Sequence, residues 1–190
     1  LENEPMSKHT SYGIGGPALA YITPQDRADL SSILKFALEN KIPVFFIGSG
    51  SNLLVSDKGI NGIVITPAKS LKNLEIEKNV IIAESGVMLG KLVKESMKRN
   101  LTGLESLIGV PGTLGGALVM NAGAFGGEIS NYLISVDIMT SKGELKTYYA
   151  GDIDFSYRFS SFTTDEFILL ARFELDTEKP EIISEKRKIA

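Results

Sequence analysis

Glycine is concentrated in one part of the chain: the 25 residues from Gly103 to Gly127 hold 8 of its 19 glycines. Glycine tolerates positive φ and lets the backbone turn tightly, so that its N–H groups can come close to a ligand. Small residues also let another backbone approach closely. In this respect the second half of the chain differs from the first.

The central part of this segment runs from Gly109 to Ala117 and reads GVPGTLGGA. Thr113 is suited to cap a short helix whose first turn contains Gly115 and Gly116. The free N–H groups and the dipole at such a helix start attract anions. The same small residues are also typical of a short helix that packs closely against a sheet. The residues alone leave both interpretations open.

A second glycine loop, Gly48 to Asn52, directly follows the apolar run Pro43 to Ile47, which predicts a buried strand. Its serine and asparagine side chains add donors, and such a concave set suits a pyrophosphate without any lysine. The plainer interpretation is a turn between strands. The loop is not a Rossmann fingerprint, because Leu53 stands where a third glycine is needed, and it lacks a P-loop ending. Two such loops in one chain favour a bound dinucleotide.

The first 66 residues predict a small mixed α/β unit. A helix is expected after Thr23, which can cap it, with Pro24 in the first turn. Short apolar runs at Leu53–Val55 and Ile63–Ile65 predict two further strands. We assign residues 1–66 to a first subdomain.

The second part of the chain predicts an antiparallel sheet with helices, assigned to residues 67–178. Leu133–Met139 and Glu144–Tyr149 read as a hairpin, and the alternation from Phe167 to Leu175 reads as a half-buried strand. Residues 179–190 carry a charged helical pattern without a stop signal. We interpret them as the start of a helix that leads to a further, substrate-binding domain.

Composition excludes several classes of site. The chain has no cysteine and one histidine, His9, so disulfide frameworks, thiolate zinc sites, iron–sulfur clusters and clustered-imidazole metal sites are excluded. No metal site is predicted. The net charge of −3, without a basic run, gives no support for nucleic-acid binding. No apolar stretch reaches transmembrane length, so no membrane association is expected and a cytoplasmic location is the default.

Four groups of residues, in this order, span nearly the whole chain. They are Glu4–Ser11 with Ile14–Ala18, Gly48–Asp57, Gly103–Glu105 with Gly109–Ala117 and Asn121–Ala124, and Tyr157-Arg158-x-Ser160-x-Phe162. Together they resemble the motifs of the UDP-N-acetylenolpyruvoylglucosamine reductases. Because all four occur in the right order, the resemblance is far more specific than any one motif.

The resemblance implies an α+β protein with the two-subdomain FAD-binding fold of the vanillyl-alcohol-oxidase or PCMH type. It implies FAD as cofactor and a flavoprotein oxidoreductase activity in peptidoglycan synthesis. In this reaction, NADPH reduces FAD, and the reduced flavin passes a hydride to the enolpyruvyl double bond of UDP-N-acetylglucosamine enolpyruvate. The product is UDP-N-acetylmuramate. NADPH and the sugar nucleotide are the implied partners, and a monomer is expected.

The resemblance also implies site residues. A catalytic arginine corresponds to Arg158. The implied cofactor-binding residues are Gly48, Ser49, Gly50, Ser51, Asn52, Leu53, Val110, Pro111, Gly112, Thr113, Gly115, Gly116, Ala117, Asn121, Gly123, Ala124 and Tyr157.

Arg158 suits the chemistry that this family performs. Hydride addition next to a carboxylate builds negative charge there, and a guanidinium holds that charge with two hydrogen bonds at any working pH. Tyr157 is placed to pack beside the flavin or to orient the arginine. Without the resemblance, a surface ion pair would be the commoner role for such an arginine.

Three alternatives remain open at this stage. One is another FAD-dependent oxidoreductase of the same fold, such as an oxidase that uses oxygen. The second is a nucleotide-binding domain without activity, and the third is a chain that binds FAD but is catalytically inactive. The last arises because the family's third domain supplies a serine proton donor and a late glutamate, and neither motif is found here. Both ends of the chain are interpreted as cut.

Overall fold

The computed structural model describes residues 1–189, and the side chains of residues 1–188. Two main sheets form the framework. The first has four strands in the order β1-β2-β4-β3, with β1 antiparallel to β2 while β2 and β3 run parallel to β4. Its strands are β1 (Glu2–Pro5), β2 (Pro17–Ile22), β3 (Val44–Phe46) and β4 (Ile60–Ile65).

The first sheet is covered on one face by helix α1, Arg27–Glu39. Its buried side chains recur at helical spacing and pack on Ile63 and Ile65 of β4; they are Leu30, Leu34 and Ala37. This helix begins three residues later than the sequence predicts. The cap is Asp26, whose carboxylate accepts a hydrogen bond of 2.8 Å from the Asp29 amide, and Thr23 and Pro24 lie outside the helix. Aspartate is a stronger helix cap than threonine, and Asp26 is the residue that the helix uses.

The predicted strand at Leu53–Val55 is wrong. These residues pair with no strand of the first sheet. Val55 is buried with Met6 and Ala18 in a small core on the other face of the sheet, while Leu54 is 71% exposed. An apolar run of three residues becomes a strand only when a free sheet edge is within reach, and here the run instead anchors a loop by one side chain.

The second sheet has five antiparallel strands in the order β11-β10-β14-β6-β5. They are β5 (Leu74–Glu77), β6 (Val80–Glu84), β10 (Leu133–Thr140), β11 (Leu145–Tyr149) and β14 (Glu166–Glu174). The predicted hairpin is confirmed as β10 and β11. The sequence also predicts β14 correctly as a strand.

The half-buried character predicted for β14 is wrong. Residues 167–171 are all buried, because both faces of this central strand are covered. Phe167 and Leu169 pack into the core that α1 covers, whereas Ile168, Ala171 and Phe173 pack into the larger core of the second sheet. One strand thus joins the two cores.

Short elements complete the fold. Three pairs of two-residue strands are β7 (Leu101–Thr102) with β15 (Asp176–Thr177), β8 (Gly123–Ala124) with β9 (Gly127–Glu128), and β12 (Phe155–Ser156) with β13 (Phe159–Ser160). The remaining helices are α2 (Leu89–Met97), α3 (Leu114–Val119) and α4 (Pro180–Ile189). Single 3-10 turns span Met6–Lys8, Glu105–Leu107, Ile129–Tyr132 and Ala150–Asp152.

A helix is therefore present where residues 179–190 predict one, and Ala190 lies outside the described residues. The division into subdomains at residues 66 and 178 stays a prediction. Among residues 1–189, every helix is too short or too polar to cross a bilayer.

Candidate functional site

A cleft of about 430 Å³ lies between the loop that follows β3 and the loop that precedes α3. Both glycine loops of the sequence line it. The lining residues predicted from the sequence are Gly48, Ser49, Gly50, Ser51, Asn52, Leu53, Val110, Pro111, Gly112, Thr113, Gly115, Gly116, Ala117 and Arg158. Residues that are 60 positions apart in the chain are thus brought to one surface.

The two loops touch each other directly. The Ser51 hydroxyl donates a hydrogen bond of 3.3 Å to the carbonyl of Pro111. A Cβ placed on Gly48 would lie 2.4 Å from the Thr113 Oγ1, closer than any real contact of this kind. Glycine at position 48 is therefore required by the packing of one loop on the other.

The first loop presents unused donors. Among the described residues, the amide N–H groups of residues 48–52 donate to no protein acceptor. The loop is held from behind instead: Gly48 accepts a bond of 2.9 Å from the Thr66 hydroxyl, and Ser11 donates its amide to the carbonyl of Gly50 at 3.1 Å. Gly50 has φ +71°, and a Cβ there would overlap the carbonyl oxygen of His9. A row of free N–H groups on a fixed backbone suits an anionic ligand.

His9 lies behind this loop and has a structural environment. Its ring stacks on Tyr21 with centroids 3.8 Å apart, and its Nε2 lies 3.1 Å from the Glu4 Oε1. The hydrogen bond to His9 lowers the pKa of Glu4, and the nearby Lys8 adds to the effect. The histidine lies outside the cleft lining.

The second loop ends at the cap that the sequence predicts. Thr113 is the N-cap of α3, and its Oγ1 accepts a hydrogen bond from the Gly116 amide at 3.5 Å. Of the two interpretations that the sequence leaves open for this loop, the contacts favour close packing, because α3 has only six residues and the Gly115 amide is already bonded to the Ser85 carbonyl at 2.9 Å. The free amides of the first loop suit an anion better.

The space around Gly116 indicates whether the cleft can hold a large flat cofactor. A Cβ there would meet nothing closer than the Thr113 Oγ1 at 3.7 Å. Neither packing nor a positive φ requires glycine at this helical position, where glycine is unfavourable relative to alanine. The residue faces the cleft. A glycine that protein packing does not need, on the wall of a cleft, leaves space for a ligand such as FAD.

Arg158 lies at the turn of the β12–β13 hairpin with a left-handed backbone, φ +57°. Its Nη2 donates a hydrogen bond of 2.9 Å to the carbonyl of Gly123. Its guanidinium carbon is 5.0 Å from the centre of the Tyr157 ring. Within residues 1–188 it forms no ion pair with a carboxylate. The surface ion pair considered from the sequence is therefore not what the structure contains, and the charge is available to a ligand.

Four predicted residues do not line the cleft: Asn121, Gly123, Ala124 and Tyr157. Asn121 is fully buried, and its Nδ2 donates to the Glu128 carboxylate at 2.8 Å and to the Ser156 carbonyl at 3.1 Å. It thereby joins the β8–β9 hairpin to the β12–β13 hairpin that carries Arg158. Tyr157 is 80% exposed beside Arg158.

The cleft also contains residues that the sequence did not indicate. Phe46, Pro67, Ser85 and residues 166–168 line it. The Ser85 hydroxyl is buried and without a partner in the described part of the chain. Glu166 accepts a 2.5 Å hydrogen bond from the Tyr148 hydroxyl, which raises the pKa of Tyr148. The one available signal was the Ser-Gly pair at positions 85 and 86, a break directly after a strand. The others depend on tertiary packing.

Comparison with known proteins gives the family. Residues 18–148 match the family described as FAD binding domain. The chain belongs to this family. The match contains both glycine loops of the cleft, and it confirms FAD as the cofactor expected from the sequence. The mixed helix and sheet content and the match to this family confirm the α+β FAD-binding fold of the vanillyl-alcohol-oxidase or PCMH type.

Curated relatives of the chain point to a more specific group of proteins than the family does. The FAD-binding chain is 43% identical over 193 residues to the UDP-N-acetylenolpyruvoylglucosamine reductase of Agathobacter rectalis, covering 95% of this chain and 61% of that protein. It is 39% identical to the reductase of Caldanaerobacter subterraneus subsp. tengcongensis, covering 98% of this chain and 64% of that protein. The chain thus spans about three fifths of the length of these relatives.

Solved structures show a likeness to the same group of reductases. The crystal structure of the reductase from Thermus caldophilus matches with a TM-score of 0.81 at 29% identity, covering 97% of this chain and 65% of that chain. A solvent-stable cholesterol oxidase matches with a TM-score of 0.68 at 15% identity, covering 92% of this chain and 37% of that one. The second likeness concerns the fold alone.

Among the described residues, no group of three His, Asp or Glu side chains could hold a metal ion.

Proposed function

We propose that this chain forms the FAD-binding part of a UDP-N-acetylenolpyruvoylglucosamine reductase. The observation that carries the proposal is the single cleft built by both glycine loops, with a free arginine at its wall. Relatives of this name match over almost the whole chain at 38–43% identity. The activity belongs to the complete enzyme and needs the parts of the relatives that this chain does not span.

We assign FAD binding to the predicted residues that line the cleft. The free amides of residues 48–52 are suited to the pyrophosphate, and Gly112, Gly115 and Gly116 leave room for the rest of the cofactor. Tyr157, Gly123 and Ala124 are proposed to act near the flavin through the hairpins that flank Arg158. For Asn121, its buried position supports a role in holding these hairpins. Bound FAD supplies the hydride-transfer chemistry.

Arg158 is the proposed catalytic residue. Its guanidinium is anchored by one nitrogen to the Gly123 carbonyl, so its remaining N–H groups can donate to a substrate carboxylate. A guanidinium held in place before the reaction stabilises the negative charge that develops on that carboxylate without a cost of reorganisation.

The finer assignments follow from the same resemblance. We propose NADPH as reductant, UDP-N-acetylglucosamine enolpyruvate as substrate, a monomeric state and a cytoplasmic location, without a nucleic-acid partner. We also propose that residues 1–66 and 67–178 form the two FAD-binding subdomains, and that residues 179–190 lead toward a substrate domain. Light scattering after gel filtration tests the monomer.

The visible spectrum of the purified chain is the decisive first experiment. After incubation with FAD and gel filtration, we expect a retained, structured flavin spectrum. The product of the complete gene should then oxidise NADPH in the presence of the enolpyruvyl sugar nucleotide. Oxygen consumption driven by a small alcohol would instead identify an oxidase. A protein that retains no flavin in either form would refute the proposal.

A further inference from the structure

A buried carboxylate lies outside the cleft and has no role in the proposed reaction. Glu105 is 4% exposed and begins the 3-10 turn Glu105–Leu107. Its Oε1 accepts a hydrogen bond of 2.5 Å from the Thr102 hydroxyl, and its Oε2 accepts one of 2.6 Å from the Gly103 amide. In the part of the chain that the structure describes, it forms no salt bridge. Burying a carboxylate is costly unless its oxygens are bonded, so these two contacts are what keep it in place.

Lys186 of α4 extends this arrangement. Its ammonium group donates a hydrogen bond of 2.9 Å to the Thr102 Oγ1. The single proton of that hydroxyl is therefore directed to Glu105, because its other side receives the lysine. We call the three residues the Lys186–Thr102–Glu105 chain. It joins α4 to two neighbouring elements, β7 and the 3-10 turn at residues 105–107, although Lys186 and Thr102 lie 84 positions apart in the chain.

This 3-10 turn supports both parts of the candidate site. It leads directly into the second glycine loop, and the Val110 amide bonds back to the Leu107 carbonyl at 3.1 Å. It also packs against α2, α4 and the β8–β9 hairpin. The contact with the hairpin is tight, since a Cβ on Gly127 would come within 2.5 Å of the Ser106 hydroxyl. The same hairpin carries Gly123, whose carbonyl holds Arg158.

We propose that Glu105 is a positioning residue for the cofactor site. Fixed by Thr102 and, through it, by Lys186, it sets the place of the 3-10 turn. The turn in turn sets the place of the loop from Val110 to Thr113 and of the hairpin behind Arg158. This role concerns the FAD site and rests on the proposed function. Glu105 acts through the backbone and touches no ligand.

The test uses substitutions that change the bonds and keep the size. Glu105→Gln replaces one of the two oxygens by an amide NH2 group, so in the observed arrangement either the Thr102 hydroxyl or the Gly103 amide would face a donor instead of an acceptor. Thr102→Val removes the hydroxyl at constant shape, and Thr102→Ser restores it. Glu95→Gln is the matched control, because Glu95 makes ion pairs with Lys98 and Arg99 on the surface of α2. Each variant of the full chain is titrated with FAD, and the visible circular dichroism of the bound flavin is recorded.

We expect Glu105→Gln and Thr102→Val to weaken FAD binding at least tenfold and to change the circular dichroism of the flavin. Thr102→Ser and Glu95→Gln should stay within twofold of the parent chain. If Glu105→Gln and Thr102→Val melt earlier but bind FAD with parental affinity and spectrum, the proposal is overturned. If Glu105→Gln does not fold, the Thr102 pair decides by the same criteria. A parent chain that binds no FAD overturns the proposed function itself, which is a different outcome from a variant-specific result.

Discussion

The guanidinium of Arg158 is tied to the carbonyl oxygen of Gly123 by a hydrogen bond of 2.9 Å from Nη2. The two residues lie 35 positions apart, and each belongs to a separate hairpin whose strands have two residues. This bond orients an otherwise exposed side chain and leaves its other N–H groups free. An ammonium group at the same place could not both reach Gly123 and present a planar pair of donors to a carboxylate.

Arg158→Lys is therefore expected to slow the second half-reaction at least tenfold while NADPH reduces the flavin at the normal rate. The reason is that only the second half-reaction builds charge on the substrate carboxylate. Stopped-flow absorbance of the flavin, with the product of the complete gene, separates the two steps. Arg99→Lys is the matched control, because Arg99 lies just after α2 and pairs with Glu95. Equal rates of flavin reoxidation in Arg158→Lys and wild type would contradict the catalytic role.

Asn121→Ala should loosen the hairpin of Arg158. The substitution leaves the Glu128 carboxylate and the Ser156 carbonyl without a buried partner. We expect a loss of about 1–3 kcal/mol in the free energy of unfolding. We also expect a higher KM for the sugar nucleotide. Urea unfolding measures the first, and KM for the sugar nucleotide the second. A variant as stable as the parent would show that Asn121 does not join the hairpins in solution.

Gly116→Ala is expected to have effects of opposite sign. In the FAD-free chain, alanine should stabilise α3 by roughly 0.5–1 kcal/mol, since nothing in the protein crowds its methyl group. Affinity for FAD should fall tenfold or more, because the methyl group enters the cleft. Thermal unfolding without FAD and a fluorescence titration with FAD give the two quantities.

Gly48→Ala serves as its comparison, because its methyl group would overlap the Thr113 hydroxyl. Both stability and FAD affinity should decrease there. If Gly116→Ala binds FAD normally, the ligand does not approach this wall of the cleft.

The Asp137–Arg172 pair predicts a pH dependence. Two hydrogen bonds of 2.8 and 2.9 Å from the guanidinium hold the pKa of Asp137 below its ordinary value, with help from the Thr147 hydroxyl. A pKa lowered by folding adds stability above the unfolded value of about 3.9, and that stability is lost as the pH falls through the folded pKa. The free energy of unfolding of Asp137→Asn should therefore fall less steeply than that of wild type below about pH 4. Asp57→Asn, at an exposed position, should follow the wild type.

Sequence reasoning succeeded where the signal is local. Glycines that follow a strand, as at Gly48, and a threonine before a short helix, as at Thr113, are visible in a few adjacent residues. The start of α1 was missed because two residues that can cap a helix, Thr23 and Asp26, lie within four residues, and their competition depends on the side-chain geometry at Asp26.

The remaining misses depend on tertiary contacts. A strand at Leu53–Val55 needs a partner strand, and residues 1–189 do not offer one. The part of Asn121 in joining two hairpins, and the place of Ser85 and Glu166 in the cleft, arise from segments that meet only in the folded protein.

Strand β14, which joins the two cores, is synthesised late, and the N-terminal core therefore remains incomplete during part of translation. Phe167 and Leu169 complete the apolar layer beneath α1, yet the ribosome adds them about a hundred residues after the first sheet has been made. At ordinary elongation rates this is a delay of roughly 5–20 seconds, during which the nascent N-terminal segment carries uncovered apolar side chains. Translation that terminates before Phe167 would therefore release a product in which the apolar side chains beneath α1 are exposed. Chaperones and proteases would act on such a product.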